Sequence, residues 1–309
     1  MCGVRIVVTG ATGFIGSAVV RVCGAAGHNV LALDRSGSDF SMFDRGSVDS
    51  GCLDLDDAAS CTPVLEAFRP DVAIHIAWAG VGAAERNLGT QLTTNVRGTL
   101  EFCRIACDVG ASAFVGLGSQ AEYGPYETPL SEALPTWPCT AYGVAKLACG
   151  LLTAKMAELS NVRHAWVRLT ACYGPGDDPR HLIPSVATQL LRGETPELSP
   201  GLQRCDYLYI DDVADAMLRI AANRTATGVF CLGSGESVSV QAICELLRRL
   251  ANRRATIAFG ALPYREDQTM SIQADIARLQ KVVGWAPRIS LQRGLDLTVE
   301  SLRHVNARP

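Results

Sequence analysis

The chain has 309 residues, of which 48% are hydrophobic and 19% charged, so it can bury the core of one large domain or two small ones. Its net charge of −3 and pI of about 6.0 exclude electrostatic attraction to nucleic acid or anionic membranes as its main function. No apolar run reaches the ~18 residues of a membrane helix, and the apolar N-terminus has no basic n-region. The 12 cysteines form no C-x-x-C pair and no ligand cluster with histidine, so we expect a metal-free protein of the reducing cytoplasm.

Short apolar runs alternate with helical segments along the first half of the chain. The predicted strands are Val4–Thr9, Asn29–Leu33, Asp71–Ala77 and Ala113–Leu117, and the predicted helices are Ser17–Ala26, Thr94–Gly110 and Ala141–Leu159. Continuous apolar strands are typical of parallel sheets that helices cover on both faces. We therefore predict an α/β fold with a Rossmann-type doubly wound parallel sheet and a smaller, partly interleaved C-terminal α/β domain.

The strand and helix alternation weakens after Tyr173 and returns in the segment 203–232. We therefore expect a dinucleotide-binding domain over residues 1–170, to which 203–232 returns. Residues 171–202 and 233–309 are predicted to form the substrate-binding domain.

A glycine-rich loop, Gly10-x-x-Gly13-x-x-Gly16, lies between the first predicted strand and the first predicted helix. Glycines in that context let the backbone approach a pyrophosphate, whose charge the helix N-terminus stabilises. Asp34 ends the next strand about 20 residues on, where a carboxylate can bind ribose hydroxyls. This favours NAD, whereas the adjacent Arg35 leaves NADP as an alternative because a guanidinium can bind a 2′-phosphate.

Tyr142 and Lys146 are four residues apart in a predicted helix, so their side chains share one face. An ammonium close to a phenol favours the phenolate, which lets the tyrosine act as a general acid or base. An ordinary pair on a helix surface has the same spacing, and only the rest of the chain distinguishes the two interpretations.

Several motifs in chain order resemble one known family. The loop TGATGFIG, Ser119 in GLGSQAEYG, and the Tyr142–Lys146 pair resemble those of the extended short-chain dehydrogenase/reductases, in particular the nucleotide-sugar epimerase/dehydratase family. The resemblance extends along nearly the whole chain, through Asp54-Leu55, Asn95, Arg168 to Tyr173, Asp206 to Asp212, and Trp285 to Leu295. It implies NAD(P)-dependent hydride transfer on a nucleotide sugar, and a homodimer that forms through the helices at 94–110 and 141–159.

The resemblance also implies roles for individual residues. Tyr142 would exchange a proton with a sugar hydroxyl or ketone, Lys146 would hold the nicotinamide ribose and favour the Tyr142 phenolate, and Ser119 would bind the reacting oxygen. The implied cofactor contacts are Gly10, Thr12, Gly13, Phe14, Ile15, Gly16, Asp34, Arg35, Asp54, Leu55, Ala77, Ala79, Asn95, Tyr142 and Lys146. The implied substrate contacts are Ser119, Gln120, Arg204 and Arg265, and both arginines are equally compatible with an exposed surface.

The chain differs from the family pattern at positions that matter for water elimination. The 4,6-dehydratases of the family carry an Asp-Glu pair after the Ser or Thr, where this chain has Gln120 and Ala121. Neither residue can act as acid or base, so water elimination is not expected. Glu122 is adjacent, but on an extended segment its side chain would point the other way.

These patterns lead to three functional hypotheses. The first is a reductase of the C4 ketone in a nucleoside-diphosphate 4-keto-6-deoxyhexose, with Tyr142 as proton donor, and the second is an NAD-dependent nucleotide-sugar 4-epimerase that uses the same residues. The third is a non-enzymatic dinucleotide-sensing protein, which the retained Tyr142 and Lys146 disfavour. His75 is expected to be a buried, hydrogen-bonded residue. For Trp78 and Trp137 packing is the expected role, and lining of the substrate cleft is the alternative.

Overall fold

We describe a computed structural model of the chain, covering residues 3–44, 48–265 and 268–306. Over these residues its centre is a seven-stranded sheet, with all strands of the chain numbered in chain order. The strands of this sheet are β1 (Arg5–Thr9), β2 (Asn29–Asp34), β3 (Val48–Cys52), β4 (Val72–His75), β5 (Ala113–Ser119), β6 (Arg163–Leu169) and β11 (Gly228–Leu232). Their order is β11-β6-β5-β4-β1-β2-β3, and every pair of neighbouring strands is parallel. The predicted doubly wound parallel fold is confirmed.

In the part of the chain that the structure describes, shorter strands form three small sheets outside the central one. They are β7 (Ala171–Tyr173), β8 (Glu197–Leu198), β9 (Arg204–Cys205), β10 (Tyr207–Tyr209), β12 (Val238–Ser239), β13 (Ala258–Phe259) and β14 (Ser271–Ile272). The helices are α1 (Phe14–Ala25), α2 (Thr62–Phe68), α3 (Thr94–Asp108), α4 (Ala141–Leu159), α5 (Leu182–Leu191), α6 (Ile210–Ala222), α7 (Val240–Ala251), α8 (Ala277–Val283) and α9 (Leu291–Asn306). The segment 203–232 contributes β11 to the edge of the central sheet, while the predicted domain boundaries stay a prediction.

Alternate residues of the strands pack on opposite faces of the sheet. In β1, Ile6 and Val8 face a cluster that includes residues of α1 and α6, whereas Val7 faces a second cluster with residues of α2 and α3. Both faces are therefore buried, which explains why the strands are apolar throughout.

Several predicted boundaries differ from those in the structure. Helix α1 begins at Phe14 instead of Ser17, because Gly13 is its N-cap residue and the helix includes Gly16. Strand β4 is shorter than the predicted Asp71–Ala77, and α3 ends at Asp108. Strand β5 continues past Leu117 to Ser119, which places this serine at the carboxyl edge of the sheet.

Two buried aspartates join the C-terminal segments to the rest of the molecule. Asp206 is fully buried and accepts hydrogen bonds from the backbone N–H groups of Ser234, Gly235 and Ala274. Asp212, in the first turn of α6, accepts two more from Arg288 and Ile289. A buried carboxylate is stable only with such partners, so these residues fix the segments around them.

Candidate active site

The glycine loop turns tightly between β1 and α1. Gly10 has φ +65°, and a Cβ atom there would lie 2.8 Å from the backbone nitrogen of Ala77 after β4. A Cβ atom at Gly16 would collide with the carbonyl oxygen of Gly10. Only glycine fits either position, and the N-cap residue Gly13 provides no side chain to occupy the helix N-terminus. The loop therefore leaves a bare helix N-terminus that suits a pyrophosphate.

Asp34 lies at the carboxyl end of β2 and binds the glycine loop directly. Its Oδ2 atom accepts hydrogen bonds of 2.8 Å from both the backbone N–H and the hydroxyl of Thr12, and Oδ1 accepts one from the Arg35 N–H. The carboxylate is half-buried and keeps lone pairs for ribose hydroxyls, while the Arg35 side chain is exposed. The donors and charges here fit NAD.

The other predicted cofactor contacts follow the neighbouring strands. Ala77 and Ala79 lie just after β4, and the Asn95 side-chain amide both accepts from and donates to the Ala79 backbone, each at 2.8 Å. Strand β1 lies between β2 and β4, so the chain reverses its winding direction there. Open α/β sheets bind their ligands at such a switch point, outside the carboxyl ends of the strands. Asp54 and Leu55 follow β3 along the same edge.

Ser119 and Tyr142 meet at this edge. Ser119 is the last residue of β5, and Tyr142 lies in the first turn of α4, where Thr140 caps the helix through a 3.1 Å hydrogen bond from the Gly143 N–H. Burial raises the pKa of Tyr142 above its usual value, and the nearby Ser119 hydroxyl, followed by the positive charge of Arg86, offsets only part of that rise. A serine hydroxyl and a cation close to the phenol make this tyrosine a candidate general acid and base.

Lys146 is buried one turn further along α4. Its Nζ atom donates a 2.7 Å hydrogen bond to the Leu117 carbonyl and lies 3.8 Å from the ring centroid of Trp78. Burial lowers the pKa of Lys146 to about 8. Trp78 also contacts Tyr142 edge-on, with 5.9 Å between ring centroids, and donates its indole N–H to Gln91. Trp78 therefore packs in the protein, in agreement with the expectation, and its packing partners include both candidate catalytic residues.

The expectation that Glu122 lies on an extended segment is wrong. Residues Gln120–Glu122 form a 3-10 turn, and the Glu122 side chain is fully buried. Its carboxylate forms a 2.7 Å ion pair with Arg168 and accepts hydrogen bonds of 2.9 Å from the Ser119 N–H and from Trp166. Glu122 therefore has no free oxygen for substrate chemistry, and it instead fixes the backbone that carries Ser119.

The remaining predicted substrate contacts are on the surface or near it. Gln120 is half-buried beside Ser119, and Arg265 is exposed. The exposed Arg204 donates to the hydroxyl and carbonyl oxygens of Ser237. Their role in binding substrate stays a prediction. Trp137 is 80% exposed, so the expectation that it packs in the protein is wrong.

Arg86 is a residue at this site that the sequence did not indicate. It follows the 3-10 turn Ala83–Glu85 in the segment between β4 and α3, and its guanidinium carbon lies 5.8 Å from the Tyr142 ring centroid. The segment has no periodic apolar pattern, so its sequence contains no signal for this contact.

Among the described residues no cluster of histidine, cysteine and acidic side chains could hold a metal ion, and no helix is long and apolar enough to span a membrane.

Comparison with known proteins agrees with this arrangement. The profile of the NAD dependent epimerase/dehydratase family matches residues 6–233, and the chain belongs to this family. It is 28% identical over 311 residues to a UDP-glucose 4-epimerase from Mycolicibacterium smegmatis, covering 97% of this chain and 99% of that protein. The chain is therefore an enzyme of a nucleotide-sugar family that uses NAD.

Solved structures show the same fold. A Thermotoga maritima UDP-glucose 4-epimerase with UDP-glucose superposes with a TM-score of 0.90 at 26% identity, covering 98% of this chain and 99% of that one. MoeE5 in complex with UDP-glucose and NAD superposes with a TM-score of 0.87 at 29% identity, covering 99% of this chain and 100% of that one.

Proposed function

We propose that this chain is an NAD-dependent 4-epimerase of a UDP-hexose. The observation that carries the proposal is the turn after Ser119, where Gln120 and Ala121 are neutral and Glu122 is bound to Arg168 and Trp166. This turn offers no acid or base for an elimination, so reversible oxidation at a sugar hydroxyl is the chemistry that the site supports best. The similarity to UDP-glucose 4-epimerases supports the choice of substrate.

The roles of the residues follow from their contacts. Tyr142 would remove the proton of the C4 hydroxyl and Ser119 would hold the same oxygen, which directs the C4 hydrogen toward the cofactor side. Bound NAD would supply the nicotinamide that takes up a hydride and later returns it to the opposite face of the sugar ring. Lys146, one helical turn from Tyr142, would bind the ribose and keep a positive charge at the site.

Reduction of a C4 ketone is the second candidate. The same Ser119, Tyr142 and Lys146 would serve it, with Tyr142 as proton donor. The exposed Arg35 favours it, because a guanidinium beside Asp34 is where the 2′-phosphate of NADPH would be bound, and a reductase consumes such a cofactor at every turnover.

Cofactor retention distinguishes the two activities. For an epimerase we expect purified protein to contain bound NAD and to interconvert UDP-glucose and UDP-galactose without added nicotinamide cofactor. Tyr142→Phe should lower kcat by about 10²–10⁴-fold, because the proton transfer is lost. Stoichiometric consumption of NADH or NADPH with a nucleotide-linked 4-keto-6-deoxyhexose, without interconversion of UDP-hexoses, would instead identify the reductase.

A further inference from the structure

The segment that carries Arg86 is attached to the first turn of α4. The Arg86 carbonyl accepts a 2.8 Å hydrogen bond from the Tyr142 N–H, and the Asn87 side chain accepts one of 3.0 Å from the Ala141 N–H. The first N–H groups of a helix have no partner within it, so these bonds stabilise both the helix terminus and the segment. They also fix the position of Arg86 relative to the Tyr142 ring.

The Arg86 guanidinium lies over that ring in a partly desolvated position. Its carbon atom is 5.8 Å from the ring centroid, near the outer limit of cation–π contacts. The Nε atom is buried and has no hydrogen-bond partner among the described residues. A buried N–H without an acceptor is unfavourable, so the environment of Arg86 favours additional negative charge nearby.

The other charged or titratable groups near Tyr142 are either neutral or already held by a partner within the protein. The groups that face it are Ser119 from β5, Glu122 from the 3-10 turn, Cys172 from β7, Trp78 and Arg86 from the segment after β4, and Lys146 from its own helix. Glu122 is paired with Arg168, and burial raises the pKa of Cys172 so that its thiol stays neutral. The Lys146 ammonium is held by the Leu117 carbonyl and the Trp78 ring.

We propose that Arg86 is a positioning residue that stabilises the negative charge on Tyr142 when this tyrosine is deprotonated. The role of Arg86 in catalysis rests on the proposed epimerase function. In the proposed epimerase the Tyr142 phenolate would take the proton from the C4 hydroxyl, and bound oxidised NAD would supply the acceptor for the hydride released from C4 as the ketone forms. Arg86 is in place before this step, so no reorganisation is needed to stabilise the charged tyrosine.

Substitution of Arg86 tests the inference through the titration of Tyr142. Arg86→Gln removes the charge but keeps the backbone carbonyl that caps α4, and Arg86→Lys keeps the charge. With added NAD, tyrosinate formation is followed by ultraviolet difference absorbance, subtracting the signal of the Tyr142→Phe protein. Because removal of a nearby opposite charge raises the pKa of an acid by about one unit, we expect Arg86→Gln to titrate about one pH unit higher and Arg86→Lys to titrate close to the unsubstituted protein.

The kinetic profile gives a second readout. In Arg86→Gln the acid-side limb of kcat/KM against pH, on which activity rises as Tyr142 loses its proton, should move to higher pH by the same interval, with about tenfold lower kcat/KM along that limb. Arg254→Gln, on an exposed turn, is the matched control and should change neither profile.

An unshifted titration in Arg86→Gln, or an equal shift in Arg86→Lys, would overturn the inference, even if the KM for the sugar rises. A shifted titration in a protein without epimerase activity would support it and would refute the proposed function alone.

Discussion

The imidazole of His75 lies in the middle of the sheet between two hydroxyl groups. Its Nδ1 and Nε2 atoms are each 2.9 Å from a threonine oxygen, of Thr9 and Thr99, and its ring stacks on Phe102 at 5.2 Å. Burial lowers the pKa of His75 to about 3, so the folded protein keeps this imidazole neutral at neutral pH. The sequence-based expectation of a buried histidine with satisfied hydrogen bonds agrees with these contacts.

This histidine should make folding stability sensitive to acid. Its pKa in the folded protein is below that in the unfolded chain, so the unfolded state binds more protons. Below about pH 6.5 the free energy of unfolding should therefore fall, by up to about 1.4 kcal/mol per pH unit from this group, until pH approaches 3. Urea denaturation of the protein and of His75→Gln across this range measures the slope, which the substitution should reduce.

The exposed His304 provides the control, because it is on the surface of α9. His304→Gln should leave the pH dependence unchanged. If His75→Gln and the unsubstituted protein lose stability in parallel from pH 6.5 to 4, then His75 is not the group responsible.

Other side chains at the site could not be predicted from local sequence. Glu122 comes three residues after the end of β5, and only the 3-10 turn directs its side chain toward Arg168 on β6. Arg86 contacts Tyr142 across 56 positions of sequence, and its contact depends on how one loop meets one helix. Motifs indicate Ser119, Tyr142 and Lys146 as candidate catalytic residues because the proposed chemistry restricts the residue types at these positions, whereas charges that act on them can come from any neighbouring element.

At the level of elements, long regular segments were predicted best. Helix α4 has the predicted limits Ala141–Leu159, because Thr140 is an N-cap residue and the segment is rich in alanine and leucine. Helix α1 begins earlier than predicted because its first turn contains Gly16, which is a poor helix former. Glycine is required there because a Cβ atom would collide with the Gly10 carbonyl oxygen. The two-residue strands of the small sheets have no periodicity, and their pairing depends on distant partners.

The cap of α4 should contribute measurably to stability. Replacing Thr140 with Ala removes the oxygen that accepts the Gly143 N–H, so we expect the free energy of unfolding to fall by about 1 kcal/mol. Thr140→Ser keeps an oxygen at the same position, so its free energy of unfolding should fall much less. Chemical denaturation of both variants measures the difference. If the alanine and serine variants prove equally stable, the cap does not stabilise this helix.

At the level of the whole molecule, one outer face of α4 stays apolar. Its large exposed residues are Val144, Leu151, Leu152 and Leu159, with exposed fractions of 43%, 64%, 46% and 76%. Spacings of seven residues, from 144 to 151 and from 152 to 159, place them on one stripe of the helix. Helix α3 packs beside α4, so the predicted four-helix contact between two copies would cover this stripe.

We therefore expect the protein to be a homodimer at micromolar concentration, as measured by size-exclusion chromatography with light scattering. Leu151→Glu should convert it to a monomer, because it removes about 1.5–3 kcal/mol of apolar burial from each copy and would bury a charge without a partner. Leu262→Glu, at an exposed leucine away from α4, is the matched control and should stay dimeric. A monomeric unsubstituted protein, or a Leu151→Glu protein that stays dimeric, would show that this stripe is not the interface. Because Tyr142 lies on the same helix, a dimer that forms there would also stabilise the element that carries the candidate proton donor.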